Sequence, residues 1–254
     1  MKHSAVVLAG SRPGRDEFAQ QFGTDMKALI AVAGEPMVRR PVRALLASKH
    51  VGEVLVLSQT PERVEAVVAK DPRIIFSRSR GTIAETMLEV LEDDETRWPL
   101  LVTTADHALL DTATVDEFVL HSAGADIAVG VVEQANLLHR LPRTERTWLR
   151  FRGGAYTGAN LFVLRSPAVR PAIELWRSVE QDRKKVGRVI ALLGPLTMLA
   201  VMLRLVTIEQ VLKRLGRRLG LELRAVVLSN PLAGVDVDKP ADHTLVEAIL
   251  AGKA

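Results

Sequence analysis

Ala5-Val6-Val7-Leu8-Ala9-Gly10, continuing into Ser11-Arg12-Pro13-Gly14-Arg15, is five apolar residues without a break and then a basic, glycine-containing loop. An apolar run of that length, stopped by glycine, reads as a strand covered on both faces, the kind found in parallel sheets. A strand that empties into such a loop can turn backbone N–H groups toward a phosphate. Arg12, Arg15 and, further on, Lys27 add positive charge beside it. The same loop also suits an ordinary strand-to-helix turn with solvated arginines. It lacks the spacing of a Walker P-loop or of a dinucleotide fingerprint.

The residues that follow alternate strand and helix. Pro36–Ala47 carries apolar residues at helical spacing, with Gly34 making the turn before it and Pro36 suited to the first helical position. Glu53–Leu57 predicts a strand, and Pro61–Ala69 a helix with Thr60 as N-cap. Arg73–Phe76 predicts a strand, Ile83–Leu91 a helix, Leu100–Thr104 a strand, Thr114–Ala123 a helix and Ile127–Val132 a strand. Glu145–Arg152 and Asn160–Leu164 read as further strands, and Pro167–Val179 as a helix. Strand–helix–strand repeats of this kind predict right-handed crossovers and a mostly parallel sheet between helical layers. In such sheets ligands sit beyond the carboxyl ends of the strands. Gly10, Asp106, Asp236 and Asp238 all follow strand-like runs.

Composition narrows the chemistry. The 254 residues are 48% hydrophobic and 25% charged, a balance that predicts one globular α/β domain over 1–254. There is no cysteine, which excludes thiol catalysis, cysteine-held zinc, iron–sulfur clusters and a disulfide framework. The N-terminal apolar run is too short for a signal peptide, so the expected location is the cytoplasm. The net charge of +4 is uneven: Arg183 to Arg218 holds nine basic residues against Glu209 alone. Aromatics are 4% and none interleave with that cluster, which argues against a nucleic-acid partner and for anionic small molecules or a membrane surface.

Residues 183–222 read as a basic, apolar helical insert. Val189–Leu203 is uncharged, but as a helix it spans only about 22 Å against a bilayer core of roughly 30 Å, and Gly194-Pro195 breaks it. Ile208, Val211, Leu212, Leu215 and Leu219 then line one helical face, with Lys213, Arg214, Arg217 and Arg218 mostly on the other. Packing on the core or on a second subunit of a homodimer, peripheral contact with an anionic membrane at its inner face, and a pocket for a bulky acceptor all fit this pattern.

Two further stretches carry acids. Thr103-Thr104-Ala105-Asp106-His107-Ala108-Leu109-Leu110 places Asp106 at a strand end, where a carboxylate suits Mg²⁺ and a turn or N-cap aspartate suits equally well. His107 reads as a loop histidine. In Gly234-Val235-Asp236-Val237-Asp238-Lys239-Pro240-Ala241-Asp242, Asp236 and Asp238 alternate on a predicted strand and share one face, where they repel unless a cation lies near. Asp242 begins a helix and reads as structural.

In this order, Leu8-Ala9-Gly10 through Lys27, Gly34–Met37, Thr103–Leu110 and Asp236–Asp242 resemble the MobA-like NTP transferase superfamily, nucleotidyltransferases of GT-A-like fold. The resemblance covers roughly residues 4–165 and 225–250. It implies a three-layer α/β/α, Rossmann-like fold with a C-terminal helical insert. It also implies a reaction in which an NTP, with CTP and GTP both fitting, and a phosphorylated small-molecule acceptor give a nucleotide-linked product and pyrophosphate. By position, Leu8, Ala9, Gly10, Ser11, Arg12, Gly14, Lys27, Gly81 and Thr82 would bind the nucleotide. Arg15, Lys27 and Asp106 would be catalytic. Mg²⁺ would sit on Asp106 with Asp238 or Asp236, and Gly158 and Asn160 would touch the acceptor. The chain departs from the pattern in a longer loop between Gly10 and Lys27 and in Ala108, which stands where a proline is usual. A GT-A glycosyltransferase normally carries its D-x-D after a central strand, where this chain has only Asp106. A non-catalytic nucleotide-binding protein on the same fold is the other alternative.

Overall fold

A computed structural model of the chain describes residues 2–10, 16–79, 81–181 and 193–254. Its strands are β1 (His3–Leu8), β2 (Ala31–Val32), β3 (Glu35–Pro36), β4 (Val51–Ser58), β5 (Ile74–Arg78), β6 (Leu100–Thr104), β7 (Ile127–Glu133), β8 (Leu149–Phe151), β9 (Gly154–Leu164) and β10 (Leu223–Val227). Among the described residues the helices are α1 (Glu17–Gln21), α2 (Arg39–Ala47), α3 (Pro61–Glu65), α4 (Ile83–Glu92), α5 (Thr112–His121), α6 (Gln134–Arg140), α7 (Arg170–Gln181), α8 (Pro195–Met202), α9 (Ile208–Leu219) and α10 (Pro240–Leu250).

The central sheet runs β10-β7-β9-β6-β1-β4-β5, with β8 paired to β9. β1, β4, β5 and β6 are mutually parallel, as are β7 and β10, while β9 runs antiparallel to both β6 and β7. The sheet is therefore mostly parallel, and β6 and β7 point their carboxyl ends the same way. Side-chain alternation explains the three layers. Ala5, Val7 and Ala9 face one apolar core, with Val42 and Leu45 of α2, Phe118 of α5 and Val246 of α10. Val6 faces the other, with Met87 and Leu88 of α4 and Ile173 of α7. Both faces of β1 are thus dry, and its run of apolar residues needs no polar alternate.

Local signals set several boundaries. Thr82 and Glu85 form a capping box at α4, the Thr82 hydroxyl accepting from the Glu85 N–H at 3.3 Å and the Glu85 carboxylate from the Thr82 N–H at 2.8 Å. Asp111 caps α5 through the Thr114 N–H at 2.7 Å, so that helix begins two residues before the predicted Thr114. Thr207 and Gln210 cap α9, and Gly220 ends it in the left-handed region.

Four expectations need correction. Pro36 does not start a helix: it lies in β3, opposite Ala31, in a hairpin whose turn residues Ala33 and Gly34 both have positive φ. The helix follows at Arg39. Thr60 precedes α3 without capping it, and α3 closes at Glu65, its end tightened by the Val67 N–H on the Val64 carbonyl. Only 149–151 of the predicted strand Glu145–Arg152 pairs, because the residues before it turn inward with Arg146. Asp236 and Asp238 lie on no strand, although the alternation holds, with Val235 and Val237 buried on either side of Asp236. Helix α6 carried no signal strong enough to be predicted. The predicted break at Gly194-Pro195 is present, with Gly194 at φ 80° and α8 beginning at Pro195. The residues of the insert from 183 to 192, including Arg183, Lys184, Lys185 and Arg188, lie outside the described residues. No helix among the described residues is long and apolar enough to cross a membrane.

Candidate active site

The β1 strand delivers Leu8, Ala9 and Gly10 to the carboxyl edge of the sheet. The Leu8 carbonyl accepts from the Ala105 N–H at 3.0 Å, and the Ala9 N–H donates to the Leu57 carbonyl at 2.8 Å. These bonds tie the end of β1 to the residue just after β6 and to Leu57 near the end of β4. A Cβ on Gly10 would come within 2.9 Å of the Gln59 side-chain amide, so this position has no room for a larger residue unless Gln59 moves. Ser11, Arg12, Gly14 and Arg15 lie outside the described residues.

Lys27 starts a short 3-10 turn over Lys27–Leu29 that the β2–β3 hairpin holds from behind. The Met37 N–H donates to the Ile30 carbonyl, and the Val38 N–H to the Ala28 carbonyl. The Lys27 ammonium reaches Asp106 at 2.6 Å and Asp238 at 2.5 Å, joining residues 79 and 211 positions apart. Burial alone would lower the Lys27 pKa, but the two facing carboxylates outweigh it and hold the pKa above its ordinary value. Asp106 is fixed from two further sides. The Thr104 hydroxyl donates to its second oxygen, and its carbonyl accepts from the Val237 N–H at 3.1 Å. Arg40 braces the following loop by donating to the Ala108 carbonyl at 2.8 Å. His107, expected in a loop, is fully buried beside the Thr103 hydroxyl, and that burial pushes its pKa down to about 4.

Asp236 and Asp238 part company. Asp236 is held by Arg146 at 2.5 Å and by the Asn160 side-chain amide at 3.2 Å. Its pKa is raised by burial and by the charges of Asp238 and Asp106, against the pull of Arg146. The same arginine reaches Asp242 at 3.2 Å, and the other Asp242 oxygen accepts from the backbone N–H groups of Asp238 and Lys239 at 3.1 Å each. Asp242 is structural, as its place at a helix start implies. The side chain of Arg146 is 8% exposed and that of Asp242 6%. A groove of about 490 Å³ opens beside this clamp, lined by Arg140, Arg143, Lys239, Asp242 and Leu245 among others.

Gly158 and Asn160 lie on β9 where its pairing with β7 slips: Val129 faces Phe162, yet Val131 faces Gly158. The extra residues bulge, and Asn160 takes φ 46°, a conformation that costs a non-glycine residue free energy. The bulge aims the Asn160 amide at Asp236. Gly81 and Thr82 follow β5, two strands from β1, and the Thr82 hydroxyl and N–H serve the α4 cap.

The structure thus gathers Leu8–Gly10, Lys27, Asp106, Asp236, Asp238 and Asn160 at one end of the sheet. Arg146 is the functional candidate that sequence reading missed. Its partners lie 90 and 96 residues away, and nothing in Arg143-Thr144-Glu145-Arg146 singles it out.

Comparison with known proteins agrees with this architecture. Residues 5–201 match the MobA-like NTP transferase domain. A hypothetical transferase from Thermus thermophilus is 34% identical, with 96% of this chain and 100% of that chain covered and a TM-score of 0.80. CMP:2-keto-3-deoxy-manno-octonic acid synthetase complexed with CTP is 16% identical over the full length of both chains, with a TM-score of 0.60. The 4-diphosphocytidyl-2C-methyl-D-erythritol synthase of Anaerococcus prevotii is 8% identical, covering 98% of this chain and 96% of that one, with a TM-score of 0.63. No curated protein matches the chain in sequence.

Proposed function

From the premise that this chain belongs to the MobA-like NTP transferase domain family, and so is a nucleotidyltransferase, we propose that it transfers a nucleoside monophosphate from an NTP to a phosphorylated small-molecule acceptor. An acceptor phosphate oxygen attacks the α-phosphorus. The bond from that phosphorus to the bridging oxygen breaks, and pyrophosphate leaves with the oxygen and its electron pair. CTP and GTP are the donors to test first. CTP has the added support that two fold relatives are named for cytidylyl chemistry.

The observation that carries this reading is Lys27 set between two carboxylates, Asp106 just past β6 and Asp238 before the last helix, near the end of β1. Transfer at phosphorus needs positioning and charge neutralisation more than a covalent nucleophile. Lys27 supplies a cation at the loop edge, where a triphosphate would lie. Asp106 and Asp238 each turn an oxygen to the Lys27 ammonium. With that ammonium drawn to the phosphates, the two carboxylates would offer the hard oxygen donors that Mg²⁺ takes alongside phosphates and water. Among the described residues no cluster of three or more acids and histidines forms, so phosphate oxygens would complete that shell. When bound, Mg²⁺ would neutralise phosphate charge and polarise the phosphoryl group. Asp238 is the better second ligand, because its side chain is 62% exposed and shares Lys27 with Asp106, whereas Asp236 is turned to Arg146 and Asn160. Asn160 and Gly158, next to it on β9, would face the acceptor.

The test is a thermal-shift panel of the four NTPs with and without Mg²⁺, followed by pyrophosphate release with candidate acceptors. A donor at 100 times its dissociation constant adds about 2.7 kcal/mol, or roughly 5–11 °C for a chain of this size. A Mg²⁺-dependent rise with one NTP names the donor. Asp106→Ala is expected to abolish pyrophosphate release and leave the melting temperature without ligand within about 2 °C of the original. Near-normal turnover in that variant would remove Asp106 from the site.

A further inference from the structure

The apolar side chains of α8 and the turn after it are not used by either core. Leu196 is 81% exposed, Met202 76% and Leu203 59%, with Leu199 and Leu205 more than half exposed. Their place in the fold gives this a meaning. The Arg152 N–H, at the tip of the β8–β9 hairpin, donates to the Val206 carbonyl at 2.9 Å. That hairpin projects from the end of the sheet where Glu133 closes β7 opposite Tyr156, the same end at which β6 delivers Asp106. The hairpin itself exposes Leu149, Arg150 and Arg152. Arg204 is exposed in the turn after α8, and Arg214 of α9 donates to the Thr197 hydroxyl at 3.2 Å, which ties α9 to α8 at that point.

We propose that α8, its following turn and the tip of the β8–β9 hairpin form a surface that docks on an anionic lipid bilayer, with the candidate active site at the same end. Charge chooses this occupant. Between residues 195 and 219, five basic residues stand against Glu209 alone, a local charge of +4. A two-fold interface between two copies would set this basic surface against itself, which like charges oppose. Anionic headgroups neutralise it, while exposed leucine and methionine enter the headgroup–acyl boundary. At eight residues α8 is about 12 Å long, so it lies in the plane of the interface and does not cross it. This surface does not depend on the transfer reaction, and its failure would leave that reading intact.

The test uses the full chain and vesicles of phosphatidylcholine alone or with about 30 mol % phosphatidylglycerol, sedimented at about 0.05 M and about 0.5 M NaCl. Binding is expected to the anionic vesicles at low salt, and to weaken at least about tenfold with phosphatidylcholine alone or at high salt. Arg204→Ala and Lys213→Ala should each weaken it about fivefold, and Met202→Asp with Leu203→Asp should abolish it with no change in melting temperature. No binding to anionic vesicles, or equal binding to both lipids, overturns the proposal. So does a dimer in light scattering that the Met202→Asp and Leu203→Asp pair dissociates, since the face would then belong to a second copy.

Discussion

Replacing Arg146 by alanine removes a cation shared by the buried Asp242 and the partly buried Asp236. In the native chain its guanidinium bonds Asp236 at 2.5 Å and Asp242 at 3.2 Å, with only 8% of the side chain exposed. Breaking a buried ion pair by deleting one partner costs about 3–5 kcal/mol, because a charge is left without compensation. Two features favour the low end. Asp236 is 29% exposed and keeps Asn160, and Asp242 keeps the N–H groups of Asp238 and Lys239. A loss of about 3 kcal/mol follows, equivalent to a melting temperature lower by roughly 6–12 °C at this chain length. Urea unfolding at pH 7 measures the free energy directly, and the cost should persist in about 0.5 M salt, since buried pairs are weakly screened. Arg146→Lys keeps the charge but loses the fork, and should recover about half. In a double-mutant cycle, Asp242→Asn should couple to Arg146→Ala by more than about 1 kcal/mol. A loss below about 1 kcal/mol for Arg146→Ala, or additivity with Asp242→Asn, would refute the clamp.

Three further outcomes are expected. Lys27→Met should lower pyrophosphate release by about 10²–10³, the usual cost of deleting one donor aimed at developing charge, with the fold retained. His107 is buried neutral, with a pKa of about 4 against 6.5 when exposed, so between those values the unfolded chain takes up a proton that the folded chain does not. The stability it contributes is whole above pH 6.5 and is lost as pH falls toward 4, by roughly 3 kcal/mol in all, and urea unfolding of His107→Gln should show a shallower acid loss over that window. Asn160→Gly should relieve the φ 46° backbone and leave stability unchanged or about 1 kcal/mol higher, while transfer to the acceptor falls through a raised KM.

The parallel half of the fold is legible because it is local. Ala5–Ala9 is apolar throughout and Leu100–Val102 likewise, as a strand dry on both faces requires. Caps are local too, yet the sequence reading does not find them: Thr82, expected as a nucleotide contact, forms a capping box with Glu85, and Thr60, expected as an N-cap, makes no side-chain cap bond. Where a boundary depends on a distant partner the sequence is silent. Pro36 has the chemistry of a helix start and of an edge strand alike, and the hairpin turn at Ala33-Gly34 with positive φ decides for the strand. Glu145–Arg152 reads as one strand, but residues 145–148 are diverted so that Arg146 can reach Asp236 and Asp242, and only 149–151 pairs.

The two aspartates show where spacing alone stops. Two acids that alternate on an extended segment do share a face, and the reading that they need a cation is physically sound. Spacing alone, however, does not say which cation each carboxylate meets, and here the two turn to different ones. The chain provides two, Lys27 from the 3-10 turn after the first loop and Arg146 from the segment before β8. That division leaves Asp238 facing Asp106 across Lys27, and Asp236 facing Asn160. If it is correct, Asp236→Asn should weaken acceptor recognition and loosen the Arg146 clamp while leaving the Mg²⁺-dependent NTP thermal shift in place. Asp238→Asn should remove that shift. A panel in which the two variants exchange these effects would mean that Asp236, not Asp238, stands on the metal side.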